Sequence, residues 1–263
     1  MRGWWQELAG LVLPGACAGC GEPRAVLCAA CGRALDGGAA GPVRPSRGPR
    51  GLPPVYGAAV YEGAVRAVVL AHKERGALAL AGPLGAALAA AVAAAAAAAG
   101  AAGGGAAGPG EAGPGAVGPG AAVVLVPVPS APRQVRARGH DPVRRIALAA
   151  AGRLRRAGVP ARVASVLRQV RPVADQAGLG ARERRANLAG ALAVYRGGAR
   201  SAAGARIVLV DDVITTGATL AEAARALGAA GAGPVAGAAV VAAPPGSFVR
   251  IRSSTRTEQH SCE

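Results

Sequence analysis

The sequence predicts an α/β fold, a parallel sheet with helices on both faces, and three observations carry that prediction. Unbroken apolar runs, AVVLVPVP from Ala122 and IVLV at 207–210, read as buried parallel strands, because a strand covered on both faces shows no polar alternation. Helix-periodic segments lie between such runs, at 141–157 and from about Thr219 to Ala230. The order is strand–helix–strand throughout, which fits a parallel sheet and no all-α or all-β layout.

The elements follow in chain order. Trp4, Trp5, Leu8, Leu11 and Val12 have helical spacing and predict a short amphipathic first helix. A cysteine-rich module completes a first unit, residues 1–36, and the basic, glycine-rich stretch 37–51 reads as a flexible linker. The main domain spans 52–245. It opens with a strand from Val55 to Tyr61 and a helix ending near Lys73. A second helix starts near Pro83, a residue suited to a first turn, and runs into an alanine tract. Residues 100–120 are low complexity and predict a disordered insertion. After the Ala122 strand, Asp141 is placed to cap a helix with Pro142 at its first position. Val159 to Leu167 reads as a strand, and 168–190 as a mobile, arginine-dense loop with a short helix. The Ile207 strand follows, then a helix stopped by Gly231, then a strand over Val235 to Ala242. The tail 246–263 offers no core and predicts fraying.

Composition limits the function classes. Aromatic residues are 2 % and the net charge is +16, yet only Lys73 is lysine among 30 basic residues. The uniform bias to Ala, Gly, Pro and Arg accounts for part of that charge. The rest suits polyanionic partners, phosphorylated small molecules or nucleic acid. No basic stripe is interleaved with aromatics, so no stacking platform for single strands is visible. The start has no secretory pattern, since Glu7 interrupts its apolar region. Leu84 to Ala99 is too short and too rich in alanine to read as a span, so the expectation is a cytoplasmic protein.

Cys17, Cys20, Cys28 and Cys31 spell C-x2-C-x7-C-x2-C. Two such knuckles can present four thiolates tetrahedrally to one Zn2+. Gly19, Gly21 and Gly32 would ease the turns around sulfur. Paired disulfides do not suit a reducing compartment, and a redox C-x2-C needs a strand–helix setting that is missing here. With four ligands filled the metal has a structural role. Cys262 reads as an incidental thiol.

The stretch VLVDDVITTGAT, 208–219, sets Asp211 and Asp212 at the end of an apolar strand and follows them with a small, hydroxyl-bearing turn. Backbone N–H groups of Thr215, Thr216, Gly217, Ala218 and Thr219 would converge at a helix N-terminus, a geometry that binds phosphate. The carboxylates would repel phosphate but suit hydroxyls one sugar's width away. Together these describe a ribose 5-phosphate. A Walker loop is excluded, because G-x4-G-K-[ST] does not occur.

These residues resemble the signature of type I phosphoribosyltransferases, which bind 5-phosphoribosyl 1-diphosphate (PRPP). The resemblance implies that Asp211 and Asp212 hold the ribose hydroxyls and that 215–219 hold the 5-phosphate. The cysteine module, VPVPSAPRQVRARG at 126–139 and DQAGLGARERRANLAGA at 175–191 narrow it to the ComF (competence protein F) family. The chain departs where that family reads R-G-F-N-Q, having Arg138-Gly139-His140-Asp141-Pro142.

The resemblance further implies Mg2+ with PRPP, and a diphosphate cradle at Pro129, Ser130 and Arg133 with Arg136, Arg138 and Lys73 as further contacts. Lys73 also reads as a plain surface lysine. The 168–190 segment would be a hood, with Gln176, Arg182, Arg184, Arg185 and Asn187 as candidates; Arg138, Arg185 and Asn187 are the candidate catalytic residues. Thr215 stands where purine-type members carry an Asp, and His140 is the alternative base, so the acceptor, a nucleobase or amine, stays open. Two readings result: a phosphoribosyltransferase, or a non-catalytic PRPP- or nucleotide-binding adaptor contacting single-stranded DNA or DNA-uptake proteins.

Overall fold

The computed structural model describes residues 15–38, 40–46, 48–103, 122–173 and 181–249. The predicted first helix, most of the 100–120 insertion, Gln176 and the tail beyond Val249 lie outside the described residues.

Six strands form one sheet in the order β1-β2-β8-β7-β3-β4. They are β1 (Gly41–Val43), β2 (Val55–Val60), β3 (Val123–Pro127), β4 (Ala161–Val163), β7 (Arg206–Val213) and β8 (Val235–Ala243). Only β1 runs antiparallel; every other neighbouring pair is parallel. The apolar runs occupy the middle. All five residues of β3 are buried, as are Ile207 to Val210 of β7.

Helix α1 (Ala29–Leu35) carries Cys31, and later helices cover both faces of the sheet. On one side lie α2 (Gly63–Glu74), α3 (Ala81–Gly103) and α5 (Pro142–Arg156), with Val68, Leu84, Leu88, Val92, Ile146 and Leu154 packed on Val208 and Val210. On the other lies α8 (Ala218–Ala229), whose Leu220, Ala223 and Leu227 pack on Ile207, Leu209 and Val240. The alanine tract belongs to the core: a Cβ at Gly85 would sit 2.5 Å from that of Ala149, so α3 and α5 cross at a separation only small side chains allow. Leu78–Ala102, including a preceding 3-10 turn, is long and apolar enough to cross a membrane by length and composition, but half of it is buried within the protein.

The structure differs from the sequence reading in three respects. Residues 37–51, expected as a linker, contribute β1, which pairs with β2 and is bridged to Phe248 of the expected frayed tail. Phe248 fills the space over Gly57, and that burial orders both segments. The single strand expected over Val159 to Leu167 is split. Its first part is β4, while β5 (Leu167–Gln169) turns away to pair antiparallel with β6 (Leu192–Val194) as a separate ribbon. Two short helices, α4 (Pro132–Arg138) and α7 (Gly198–Ala202), occupy stretches without periodicity. The cap at Asp141 forms as expected, its Oδ1 accepting from Arg144 N at 3.1 Å.

The crossovers reverse between β3 and β7. From β3 the chain passes through α5 on one face and adds β4 outward; from β7 it passes through α8 on the other face and adds β8 the opposite way. Such a switch point opens a crevice at the C-terminal ends of the two strands.

Candidate functional site: the crest between β3 and β7

The acid pair stands on the β7 side of that crevice. The strand continues one residue past the carboxylates, with Asp211 opposite Val240 and Val213 opposite Ala242. Alternation then sends the two side chains to opposite faces. Asp212 continues the Val208–Val210 row and meets α2, where its Oδ2 lies 2.7 Å from Lys73 Nζ. Its side chain is 5 % exposed, against 33 % for the lysine. The contact is a close ion pair, and no other donor reaches Oδ2. Each carboxylate also accepts from the next backbone amide at 2.8 Å, Asp211 from Asp212 N and Asp212 from Val213 N.

Charge is concentrated here. Burial, and then the adjacent Asp212 charge, push Asp211 well above the usual carboxylate range. Burial alone would lower the Lys73 ammonium, but the charges of Asp212 and Asp211 outweigh it and hold it above its ordinary value.

The turn after the acids leads into α8 through Gly217, which sits in the left-handed region at φ 78°. A Cβ there would also fall 2.8 Å from a Leu52 methyl, so backbone and space both call for glycine. Thr216 Oγ1 accepts from Ala218 N at 3.4 Å. Thr215 is exposed, while Thr216 and Thr219 are half-buried. Leading amides of a helix have no intrahelical partner, so this end of α8 supports an anion.

Across the crevice, Val128 N donates to Val210 O at 2.9 Å, which sets the Pro129–Ser130 turn beside the acids. Arg133 and Arg136 lie exposed on α4. Arg138, at the end of α4, is held by Glu74: Nη2 lies 2.7 and 2.8 Å from the two carboxylate oxygens, and Nε lies 3.0 Å from Oε2. Glu74 and His72 escaped the sequence reading. The signal was the tripeptide around the lone lysine, His72-Lys73-Glu74. His140 is 9 % exposed, with Nδ1 at 3.1 Å from Arg138 O and Nε2 at 3.3 Å from His72 O. A neutral imidazole donates to one of these two carbonyls at a time, and the contacts seat the ring between α2 and the α4–α5 turn.

The segment expected to form a hood, with the strand that follows it, packs on α8. Buried Glu222 accepts from Leu192 N at 3.2 Å and is paired with Arg225. Arg225 and Leu192 N together outweigh the burial that would raise Glu222, and hold its carboxyl below its ordinary value. α6 (Ala181–Leu188) carries Arg185 and Asn187. The carbonyl of Asn187 accepts from Arg171 at 2.9 Å. The side chain of Arg185 lies outside the described residues.

The four cysteines converge. Their Sγ atoms all lie within 4.8 Å of one another, an arrangement that could bind a metal such as zinc. The knuckles close alike, Gly21 N donating to Cys17 O and Gly32 N to Cys28 O, each at 2.9 Å. Burial would raise the Cys17 thiol, but backbone amides led by Cys28 N, 3.3 Å from its Sγ, bring it down to about 6. Burial pushes Cys31 up. A Cβ at Gly19 would reach 2.7 Å from Cys31 Sγ, so the close approach requires glycine. A shallow proline-lined groove behind Leu52 (Pro45, Pro49, Pro53, Pro54) holds one charged residue, Arg44, and none of the predicted site.

A mostly parallel sheet covered on both faces, with an acid pair and glycine turn at its switch point, defines a phosphoribosyltransferase-type α/β fold preceded by a four-cysteine module. Residues 168–258 match the family model of the phosphoribosyl transferase domain, a stretch that contains all but the first residue of the ribbon, the acid pair and α8. No curated protein matches the chain.

Proposed function

We propose that this protein is a Mg2+-dependent phosphoribosyltransferase that binds PRPP, with a structural zinc in the four-cysteine module. It resembles the ComF family, which carries an implied link to DNA uptake. The observation that carries the reading is the pairing of Asp211 and Asp212 with the Gly217 turn at the switch point. Carboxylates accept from hydroxyls, and the α8 end with Thr216 and Thr219 donates to a 5-phosphate.

The residues also suit the cation that accompanies PRPP. Asp212 Oδ2 is buried with the Lys73 ammonium as its single close partner, and a second acid adjoins it in sequence. Bound there with PRPP, Mg2+ would neutralise the leaving diphosphate. The chain's own part is to hold the sugar by Asp211 and Asp212 and the 5-phosphate by residues 215–219. The 129–133 turn, Lys73 and Arg138 would meet the diphosphate, and the segment bearing Arg185 and Asn187 would exclude water. In the transfer, the C1–O bond breaks, diphosphate leaves with the electron pair, and an acceptor nitrogen bonds to C1 and gives up its proton.

The test is diphosphate release from PRPP with a panel of nucleobases and amines, in wild type and Asp212→Asn. Acceptor-dependent release lost in Asp212→Asn supports the enzyme. PRPP binding without release under any acceptor would leave the second reading, a PRPP-binding adaptor that contacts single-stranded DNA or DNA-uptake proteins. One surface favours that alternative: Arg168 lies over the ring of Tyr195, 5.8 Å from its centroid, with Arg162, Arg196 and Arg200 exposed nearby in sequence. Arginine and an exposed aromatic ring suit a polyanion bearing bases, and such binding must weaken with salt.

A further inference from the structure

One turn of α2 grips three elements. His72 meets His140, their rings 5.6 Å apart and edge to face; Lys73 meets Asp212; Glu74 meets Arg138. Consecutive helical residues point about 100° apart, so three in a row can reach the α4–α5 turn and the β7 crest at once. The turn they reach is short. α4 ends at Gly139, in the left-handed region at φ 73°, and Asp141 already caps α5.

Arg138 has an unusual balance. Its side chain is 14 % exposed, and Nε and Nη2 are fully engaged by Glu74. Nη1 is buried with no partner. A guanidinium amino group left without an acceptor away from water is costly, and an anionic oxygen is the acceptor that suits it best. Lys73 is close enough for the Arg138 charge to act on it, so both cations serve one locality. Glu74, by contrast, is 46 % exposed, so solvent screens its charge while its two oxygens fix the plane of the guanidinium.

We infer that Glu74 is a positioning residue, holding Arg138 so that its free amino group receives an oxygen of the diphosphate. The inference rests on the PRPP reading above. Glu74 itself touches no substrate. It sets the guanidinium before the ligand arrives, so the ordering of a long side chain is not charged against binding. The carboxylate lowers the local positive charge, and the fixed orientation outweighs that loss because only one edge of the guanidinium is taken.

The experiment measures binding of inorganic diphosphate and, separately, of ribose 5-phosphate, both with Mg2+, to the full chain by calorimetry. Glu74→Ala should weaken diphosphate binding roughly tenfold, and Arg138→Lys by a similar factor. The two changes together should cost little more than either alone. Glu74→Gln, which keeps one acceptor for Nη2, should recover part of the loss. Ribose 5-phosphate affinity should stay within about twofold in every variant, which a merely structural tie would not guarantee. If Glu74→Ala does not fold, Glu74→Gln and Arg138→Lys keep the side-chain volumes and carry the comparison. Diphosphate bound by Glu74→Ala or Glu74→Gln as tightly as by wild type, with ribose 5-phosphate still bound, overturns this inference alone. A wild type that binds neither probe overturns the PRPP reading and this inference with it.

Discussion

Removing either partner of the Lys73–Asp212 pair should destabilise the protein, and removing both should restore most of the loss. Asp212 is 5 % exposed and Lys73 33 %, at 2.7 Å. Exposed pairs contribute about 0.2–1 kcal/mol, while breaking a fully buried one costs about 3–5 kcal/mol. One-third exposure of the lysine lets water relieve part of the charge left behind, so each single change should cost about 2 kcal/mol. For a chain of this size that is a fall in Tm of roughly 4–8 °C. Lys73→Met leaves a carboxylate beside Asp211, and Asp212→Asn leaves an ammonium against a half-buried wall. The double variant leaves neither and should lose less than about 1 kcal/mol. Thermal and urea unfolding of the four proteins should give a coupling energy of at least about 3 kcal/mol, little reduced by salt because the pair is partly buried. PRPP at a hundred times its Kd should add about 2.7 kcal/mol to wild type and almost nothing to Asp212→Asn. Single losses that simply add in the double variant would refute the assignment of a coupled pair at the crest.

Three further outcomes follow from other parts of the molecule. Gly217→Ala should cost about 1–2 kcal/mol from its left-handed φ, with little added by the clash, because the Leu52 methyls 2.8–3.0 Å away can rotate aside; PRPP binding should fall with it, and an unchanged Tm would contradict the backbone argument. His72 is fully buried, and burial, helped by His140 and Arg145, lowers its pKa. A lowered pKa gives stability that is present above the unfolded value of about 6.5 and lost as pH falls through the folded one. Raised Asp211 acts in the opposite sense, so the readout is the difference in Tm between wild type and His72→Gln from pH 7.5 to 5: wild type should lose more on acidification, and parallel curves would refute the claim. The protein purified under reducing conditions should carry about one zinc per chain, with Cys28→Ser holding less and melting earlier; elemental analysis finding none in wild type would remove the metal.

Much of the fold and half of the site were legible because they rest on local signals. Buried strands announce themselves as apolar runs, Asp141-Pro142 as a helix start, and two C-x2-C knuckles as one ligand set, since each depends on residues a few positions apart. Asp211, Asp212 and the Gly217 turn belong to the same kind, one strand end feeding one helix. The β5–β6 ribbon was not legible. Leu167–Gln169 and Leu192–Val194 are three-residue strands, too short to show a pattern, and Glu222 and Arg225 of a later helix hold Leu192 in place. β1 depends in the same way on Phe248, some two hundred residues further on.

By itself, then, the sequence determined that a parallel sheet would end in an acid pair and a glycine turn, and that four thiols would close on one point. Only the tertiary structure decided what faces those carboxylates. Lys73 lies 139 positions before Asp212, and Glu74 lies 64 before Arg138. Charges so far apart in the chain meet because α2 packs against the same face of the sheet to which strand alternation sends Asp212. That choice of face is a property of the packed core, and no local stretch of residues encodes it.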